Sequence, residues 1–220
     1  MVKATLSMFG EYVPARSGSV LRASRQKKLR MEIVNTGLDL FLAHGFDNIT
    51  VADIAERVDI SRRTFFRHFQ SKDDVVFGWM SQLGELVQPI MAERLVQETP
   101  LQAMERTFLI LAHHLVGEGQ RSRAVIQMIY NTPTLIGRYH DEHAQWEKRF
   151  ISTLMQDRNL SVMDVFYLRI QVASAITAFV VAIRTWAGQG EQNSLEFWVC
   201  EAFNALFEGT QTVRHGRGEA

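Results

Sequence analysis

A nine-residue segment, residues 61–69, brings together side chains that could read DNA. It holds three arginines, two hydroxyl groups and a histidine around three phenylalanines. On a helix, Phe65 and Phe69 lie four residues apart and share one face, whereas residues 62–64 form the first turn and project elsewhere. A short helix with one apolar face and a basic leading end has the features needed to read the major groove of DNA.

The formal net charge of zero hides a charge separation that favours the same interpretation. Residues 22–72 hold ten lysines and arginines against six acids, a charge of +4, whereas residues 73–220 hold twelve against seventeen, a charge of −5. The first basic cluster, residues 25–30, could be a solvated helix face, or it could add contacts to the DNA backbone or minor groove. A solvated helix would not explain the second cluster at residues 62–67. The pattern therefore predicts a nucleic-acid-binding N-terminal part.

The composition is that of a well-packed globular protein. Hydrophobic residues make up 46% of the 220 residues and only four are proline, which argues against a disordered chain. The single Cys200 excludes an intrachain disulfide framework and four-cysteine zinc sites, and it suits a reducing cytosol. Residues 1–24 do not resemble a signal peptide, and the most apolar stretch, Val172 to Ile183, is too short to span a bilayer. We therefore expect a cytoplasmic protein without a membrane partner.

Helical patterning predicts an all-α chain of about nine helices with no convincing strand. Residues 1–23 carry scattered Gly, Pro and Ser and are predicted to form a flexible arm. Residues 24–72 are predicted to form a helix-turn-helix unit, and residues 73–220 a second helical domain. The fourth helix is expected to end near Val87, before Pro89, with a possible kinked continuation. Later helices are predicted to start at Thr99-Pro100, Thr132-Pro133, Ser161 and Ser194.

Capping signals divide residues 24–72 into three helices. Gly45 is placed to end the first, Thr50 with Asp53 forms a near capping box for the second, and Ser61 caps the third. Burial of each phenylalanine of the third helix contributes roughly 2–3 kcal/mol, enough to hold a short helix that could not form alone. The residues expected to pack the three helices together are Ile33, Leu40, Phe41, Val58, Ile60, Phe65 and Phe69.

Four blocks of this region, residues 38–46, 50–55, 61–69 and 71–72, resemble in sequence and spacing the DNA-binding domain of the tetracycline-repressor (TetR) family. The helical remainder has the length of that family's ligand-binding and dimerisation domain. The resemblance therefore implies an N-terminal domain that binds double-stranded operator DNA and a C-terminal domain that binds an effector and a second copy of the chain.

The resemblance also assigns base contacts to the leading end of the third helix. Arg62, Arg63 and Thr64 are the candidates, because an arginine that bonds guanine through two nitrogens is the commonest specific contact, with about 1–3 kcal/mol of discrimination. Arg67, farther along the helix, is expected to face solvent or a phosphate rather than a base.

Phosphate contacts are implied at four further positions. The hydroxyl of Thr50, together with backbone N–H groups at the start of the second helix, is expected to hold one phosphate. His68 and Lys72 follow at positions where the family contacts phosphates. Ser61 is expected to act mainly as the N-cap, with a phosphate contact as a secondary role.

Two residues depart from the family pattern. Phe66 stands where the family usually has a tyrosine whose hydroxyl bonds a phosphate, so its expected contact is apolar, with a sugar or a thymine methyl group. Asp59 stands where the turn usually has glycine. Aspartate tolerates the left-handed conformation better than most residues, so the turn is expected to survive.

The second domain is expected to hold a pocket for a small, largely apolar effector. Its helices carry aromatic and methionine side chains with few polar groups, a composition that suits such a ligand. The same stripes at helical spacing are also what an ordinary helical core shows. The candidate lining residues are Phe108, Leu111, His113, Met128, Tyr130 and Trp146.

The last two helices are apolar nearly all round, which indicates burial. They could be buried in a homodimer, as a four-helix bundle across a two-fold axis, or within one chain. The candidate interface residues are Phe179, Ile183, Phe203, Leu206 and Phe207.

No motif in the chain indicates catalysis. His140, His143 and Glu147 could suggest a metal site, but without an HExxH motif or a second cysteine a polar helix face is the favoured interpretation. No catalytic residue, metal or cofactor is therefore predicted. The predicted function is a ligand-responsive regulator that represses transcription from a near-palindromic operator. A helix-turn-helix activator or DNA-binding protein without a small ligand is the main alternative, and a helical enzyme that uses the pocket is a more distant one.

Overall fold

The computed structural model describes residues 17–155, 159–189 and 192–207, and its regular secondary structure there is entirely helical. The first three helices are α1 (Ser17–His44), α2 (Val51–Arg57) and α3 (Arg62–His68), and α4 (Asp73–Arg94) connects them to the rest. The remaining helices are α5 (Pro100–Gly117), α6 (Gln120–Asn131), α7 (Pro133–Met155), α8 (Val162–Gly188) and α9 (Leu195–Phe207). The all-α prediction is confirmed, with nine helices in the described ranges.

Helix α1 begins earlier than predicted. It starts at Ser17, so it includes residues 17–23, which were expected to belong to the arm. Residues 1–16 of that arm lie outside the described residues. Helix α1 ends as predicted at Gly45, whose φ of 85° is left-handed and whose N–H donates to the carbonyl of Phe41 at 2.8 Å.

The first three helices share one small core. Ile33, Leu38 and Phe41 of α1 are at most 1% exposed, and Ile54 of α2 and Phe65 of α3 are fully buried. Neither α2 nor α3 exceeds seven residues, a length that is not stable alone in water. The position of α3 is therefore set by packing against α1 and α2.

Helix α4 continues to Arg94, so the predicted end near Val87 is wrong and the alternative, a continuation beyond Pro89, is the one observed. A proline inside a helix removes one backbone hydrogen bond and normally kinks or ends it. Here Val87 and Met91, on either side of the proline, are 3% and 1% exposed. Their packing in the core holds the helix together across Pro89.

A glycine allows α4 to lie close against the N-terminal helices. A Cβ atom added at Gly78 would come within 3.0 Å of Val34 Cγ2 and 3.1 Å of Phe69 Cε1. A larger residue would require the side chains of Val34 and Phe69 to shift by a few tenths of an ångström. Gly78 therefore permits the close contact of α4 with α1 and with Phe69, the residue that follows α3.

Helix α8 is central to the second domain, where it packs against α5, α6, α7 and α9. By length and composition alone this helix would suffice to cross a membrane. The sequence analysis had judged only the shorter run at residues 172–183, which is too short to span a bilayer. Its buried face includes Val172, Ala175 and Ala182, all at most 2% exposed. Packing against four helices accounts for the apolar residues on this buried face, whereas Met163, Phe166 and Ile170 of the same helix are about half exposed.

Three residues predicted for a dimer interface are instead buried inside the single chain. Phe179 and Ile183 on α8 and Phe203 on α9 are 5%, 8% and 0% exposed. A residue that is already covered within one chain has no surface to offer a second copy, so the prediction is wrong for these three. Hydrophobicity alone cannot distinguish the two kinds of burial. Of the other two, Leu206 is partly buried and Phe207 is 46% exposed.

Candidate functional site

The turn between α2 and α3 has the backbone hydrogen bonds of a helix C-terminus at which glycine is the usual residue. Asp59 adopts a left-handed φ of 57°. Its N–H donates to the Glu56 carbonyl at 3.1 Å, and the Ile60 N–H donates to the Ala55 carbonyl at 2.9 Å. This pair of bonds is a Schellman motif, which satisfies the last carbonyls of a helix. The turn therefore accepts Asp59 in place of glycine, as expected.

The N-terminus of α2 is closed by the predicted capping box. The Thr50 hydroxyl donates to Asp53 Oδ2 at 2.7 Å, and the Asp53 N–H donates back to Thr50 Oγ1 at 3.3 Å. The hydrogen bonds that the hydroxyl and the backbone N–H of Thr50 donate to the Asp53 carboxylate, and more weakly the charge of Arg62, lower the pKa of Asp53. Because the hydroxyl proton of Thr50 is already used, the free backbone N–H groups of the first turn are the better donors for a phosphate at this end.

Ser61 caps α3 as predicted. The Thr64 N–H donates to Ser61 Oγ at 3.1 Å, and the two hydroxyl oxygens lie 3.0 Å apart. Thr64 is half-buried, whereas Arg62 and Arg63 before it are exposed. Thr64 is therefore less free to reach a base than the two arginines.

Helix α3 separates the residues that hold it from those that could read DNA. Phe65 and Phe69 are 0% and 2% exposed, and their ring centroids lie 5.7 Å apart. Arg62 and Arg63 face solvent, and none of the salt bridges in the described part of the chain involves either of them. Both guanidinium groups therefore remain available to guanine or phosphate.

Phe66 presents an apolar ring at the protein surface. It is 54% exposed, and it packs edge-on against Phe65 with centroids 5.6 Å apart and an interplanar angle of 86°. A phenylalanine cannot donate the hydrogen bond of the tyrosine usual at this position. The ring can make only an apolar contact with DNA, such as one with a thymine methyl group.

His68 does not fit the phosphate contact that the resemblance implied. Its Nε2 is buried and has no hydrogen-bond partner among the described residues, and its carbonyl accepts a bond from Arg30 Nη1. Burial, followed by the charges of Arg67 and Arg30, lowers the pKa of His68. A largely neutral imidazole with a buried nitrogen is poorly suited to a phosphate.

Lys72 also has a role within the fold rather than the one predicted for it. Its Nζ donates to the carbonyls of Phe46, Asp47 and Ile49 at 2.7, 3.3 and 3.0 Å. The same nitrogen lies 4.4 Å from the centroid of the Phe46 ring. All three N–H donors of the ammonium are thus used inside the protein. Lys72 ties the start of α4 to the segment between α1 and α2.

The second domain encloses an apolar cavity of about 50 Å³. Four of the predicted residues line it, namely Phe108, Leu111, Tyr130 and Trp146. The sequence analysis missed other lining residues, including Trp79, Tyr139, His143 and Phe179. Three of the α7 side chains, Tyr139, His143 and Trp146, are spaced four and three residues apart, a signal that could have identified that wall.

Two residues predicted for the pocket do not line it. The His113 side chain is 86% exposed, and its Nδ1 lies 3.2 Å from Glu196 Oε1. His113 is two residues from Leu111 on α5, so it lies on a different face of the helix. Met128 is only partly buried and packs against the core away from the cavity, whereas Ile129 beside it faces inward.

The few polar groups of the cavity are uncharged. The Tyr130 hydroxyl donates to the Tyr139 hydroxyl at 3.1 Å, and burial raises the pKa of Tyr139 well above its ordinary value. Burial, and then the charge of His140, lowers the pKa of His143 to about 4, so this imidazole is neutral near pH 7. Among the described residues no group of three potential metal ligands lies together.

Asp74, at the start of α4, joins the two domains. Its Oδ2 accepts hydrogen bonds from the N–H groups of Gln70 and Ser71, in the link between α3 and α4. Its Oδ1 forms an ion pair with Arg138 on α7. The next residue of α7, Tyr139, lines the cavity. One helix therefore contacts both the cavity and the link that follows α3.

Comparison with known proteins agrees with this geometry. Residues 33–77 match the family described as "Bacterial regulatory proteins, tetR family". The HTH-type transcriptional regulator TcmR of Streptomyces glaucescens is 31% identical over 176 residues, which cover 77% of this chain and 78% of that protein. This chain belongs to the tetR family. The matched segment contains α2, α3 and the start of α4, and the protein is a DNA-binding transcriptional regulator of this family.

Two further proteins are similar to this chain, one in sequence and one in structure. The "Probable acrEF/envCD operon repressor" of Escherichia coli is 28% identical over 107 residues, which cover 47% of this chain and 48% of that protein. The crystal structure of Thermus thermophilus FadR with lauroyl-CoA aligns with a TM-score of 0.58 at 22% identity, over 87% of this chain and 99% of that one. At that identity the second likeness concerns the fold, including the helical domain that carries the cavity.

Replacement of Arg63 by alanine should separate base reading from phosphate binding. We expect Arg63→Ala to weaken binding to an operator selected from random-sequence DNA by about 1–3 kcal/mol and to leave binding to random DNA nearly intact. Titrations of both DNAs at one salt concentration measure this. Arg67→Ala, at another exposed arginine of α3, is the control and should affect both DNAs equally. Equal losses for Arg63→Ala would assign Arg63 to a phosphate.

Replacement of Lys72 should weaken the fold rather than the DNA contact. Lys72→Met leaves three carbonyls without their charged donor, so we expect the free energy of unfolding to fall by about 1–3 kcal/mol. Denaturant unfolding measures the loss. Affinity for random DNA should stay nearly constant under conditions where the variant is folded. Unchanged stability together with weaker binding to both DNAs would instead support the predicted contact of Lys72 with a phosphate.

Proposed function

We propose that this protein is a homodimeric repressor that leaves a near-palindromic operator when a small, largely apolar effector enters the cavity. The observation that carries the proposal is the ion pair of Asp74 and Arg138, which connects the uncharged cavity to the helix that exposes Arg62 and Arg63. Membership of the tetR family supports DNA-binding regulation, and the name of the similar E. coli protein supports repression.

The proposed dimer uses the exposed face of α8. Met163, Phe166 and Ile170 are 53%, 53% and 48% exposed and lie three or four residues apart, on one face of the helix. A continuous apolar face of this kind is typical of a protein–protein contact. Pairing of α8 and α9 with those of a second copy would form a four-helix bundle. Two α3 helices could then enter successive major grooves, roughly 34–36 Å apart.

The proposed signal passes along α7. An effector that moves Tyr139 would also move Arg138, because the two residues are adjacent on one helix. The ion pair of Arg138 with Asp74 would transmit the movement to the N-terminus of α4 and to Gln70, just after α3. The effector must bind the DNA-free arrangement more tightly than the DNA-bound one, since only differential affinity shifts an equilibrium.

The proposal assigns one function to each of two successive parts of the chain. Residues 24–72 would bind DNA, and residues 73–220 would bind the effector and the second copy. Since the target is chromosomal DNA, we place the protein in the cytoplasm. We assign it no catalytic activity, in agreement with its regulator relatives.

Footprinting tests the proposed function. The intact protein should protect a near-palindromic site, and addition of a metabolite extract from the producing cells should abolish the protection. A reporter gene behind that site should be expressed more strongly when the extract is present. Protection that survives every extract fraction would favour a regulator without a small ligand. Turnover of a compound in the extract would favour an enzyme.

Ile170→Asp tests the dimer face. A charge placed in an apolar interface loses its hydration without gaining a partner, so the variant should sediment as a 25.2 kDa monomer at micromolar concentration and lose operator affinity. Val96→Asp is the matched control, at a residue 80% exposed just after α4, and should leave the dimer intact. An unaltered chain that sediments at 25.2 kDa would contradict the proposed bundle.

A further inference from the structure

Aromatic rings form much of the cavity wall, and two of them are stacked. Phe108 on α5 and Phe179 on α8 have centroids 4.3 Å apart and planes only 5° apart. Trp79, Trp146 and Tyr139 add further rings to the lining. Ring–ring contacts contribute beyond the area that they bury, and they do so only for a partner that is itself aromatic. The wall therefore favours a flat aromatic ligand over a saturated one.

The lining carries no charged side chain to receive an ionised ligand. It contains no Lys, Arg, Asp or Glu, and its one histidine, His143, has a pKa of about 4. An ionised carboxylate buried here would lose its hydration, and the guanidinium of Arg184 lies 5.4 Å from the centroid of the Tyr130 ring but is not part of the lining. A carboxylate is therefore disfavoured. A quaternary ammonium could still use the faces of the rings, which makes it a necessary comparison in the test.

Hydrogen-bond donors are present in the wall. The Tyr130 and Tyr139 hydroxyl groups bond each other at 3.1 Å. Trp146 is 8% exposed, and its indole N–H has no acceptor among the described residues. A buried donor without a partner carries a free-energy cost that an acceptor on a ligand would remove. An oxygen on a ligand that reached this N–H would supply such an acceptor.

We propose that the effector is a flat, neutral aromatic molecule with a carbonyl or hydroxyl oxygen. It inserts between Phe108 and Phe179, and its oxygen accepts a hydrogen bond from Tyr139 or Trp146. This inference rests on the proposed effector-responsive function. The cavity of about 50 Å³ is far smaller than the roughly 300–1,000 Å³ usual for ligand sites, so the two rings must part and α5 must move relative to α8.

Binding of four probes to the full-length protein without DNA tests the ligand class. The probes are 2-acetylnaphthalene, 2-ethylnaphthalene, decanoic acid and choline, followed by quenching of tryptophan fluorescence and by thermal shift. The two naphthalenes differ only in the acceptor oxygen, so 2-acetylnaphthalene should bind about 3- to 10-fold more tightly. Decanoic acid and choline should bind more weakly than either. Tighter binding of decanoic acid or choline, or no binding of any probe, would overturn the inference.

Substitutions test the two parts of the site. Phe179→Leu should weaken both naphthalenes about 3- to 10-fold, because it removes the stacked ring. Phe197→Leu, at an exposed phenylalanine of α9 outside the cavity, is the matched control and should leave the affinities unchanged. Tyr139→Phe or Trp146→Phe should remove the preference for the acetyl compound. A preference that survives both substitutions would contradict the hydrogen bond.

Release of a selected operator, measured separately, distinguishes this inference from the proposed function. If 2-acetylnaphthalene binds and the operator complex persists, the ligand class stands and the proposed release mechanism fails. If decanoic acid or choline releases the operator and the naphthalenes do not, the proposed function stands and the aromatic ligand class fails.

Discussion

The carboxylate of Asp74 joins the segment that follows α3 to the helical domain that holds the cavity. It accepts the two N–H groups that set the link between α3 and α4, and it holds Arg138 of the second domain. Gly78, one turn farther along α4, lets that helix lie against α1 and Phe69. These contacts help to set the orientation of the link between α3 and α4. Arg138 belongs to α7, the helix that forms one wall of the cavity, so Asp74 contacts both domains.

Helix α3, the proposed reading helix, carries buried and exposed side chains on separate faces. Phe65 and Phe69 are buried, so seven residues can remain helical, whereas Arg62 and Arg63 are exposed and form no salt bridge within the described part of the chain. The exposed arginines and the buried phenylalanines that anchor the helix are thus close together in sequence. The arrangement explains why so short a segment carried most of the functional information in the sequence.

Local rules predicted the features that depend on neighbours in sequence. The capping box of Thr50 and the N-cap of Ser61 were predicted correctly, and so was the left-handed turn at Asp59, because each depends on only a few consecutive residues. Lys72 was misassigned because its three carbonyl partners lie 23 to 26 residues earlier in the chain. The faces of α8 could not be separated either, since Phe179 and Phe166 have the same chemistry and differ only in what covers them. The periodicity of the sequence was enough to predict the helices. Which side chains remain exposed depends on packing between residues that are distant in sequence.

The absence of charged side chains from the described cavity lining has a consequence for how the regulator responds to its surroundings. DNA binding through arginines releases counterions, so its strength falls steeply as the salt concentration rises. Entry of a neutral molecule into an uncharged cavity releases none. A rise in the salt concentration of the cell would therefore weaken DNA binding and leave recognition of the effector unchanged. The two domains of one chain would then respond to different variables.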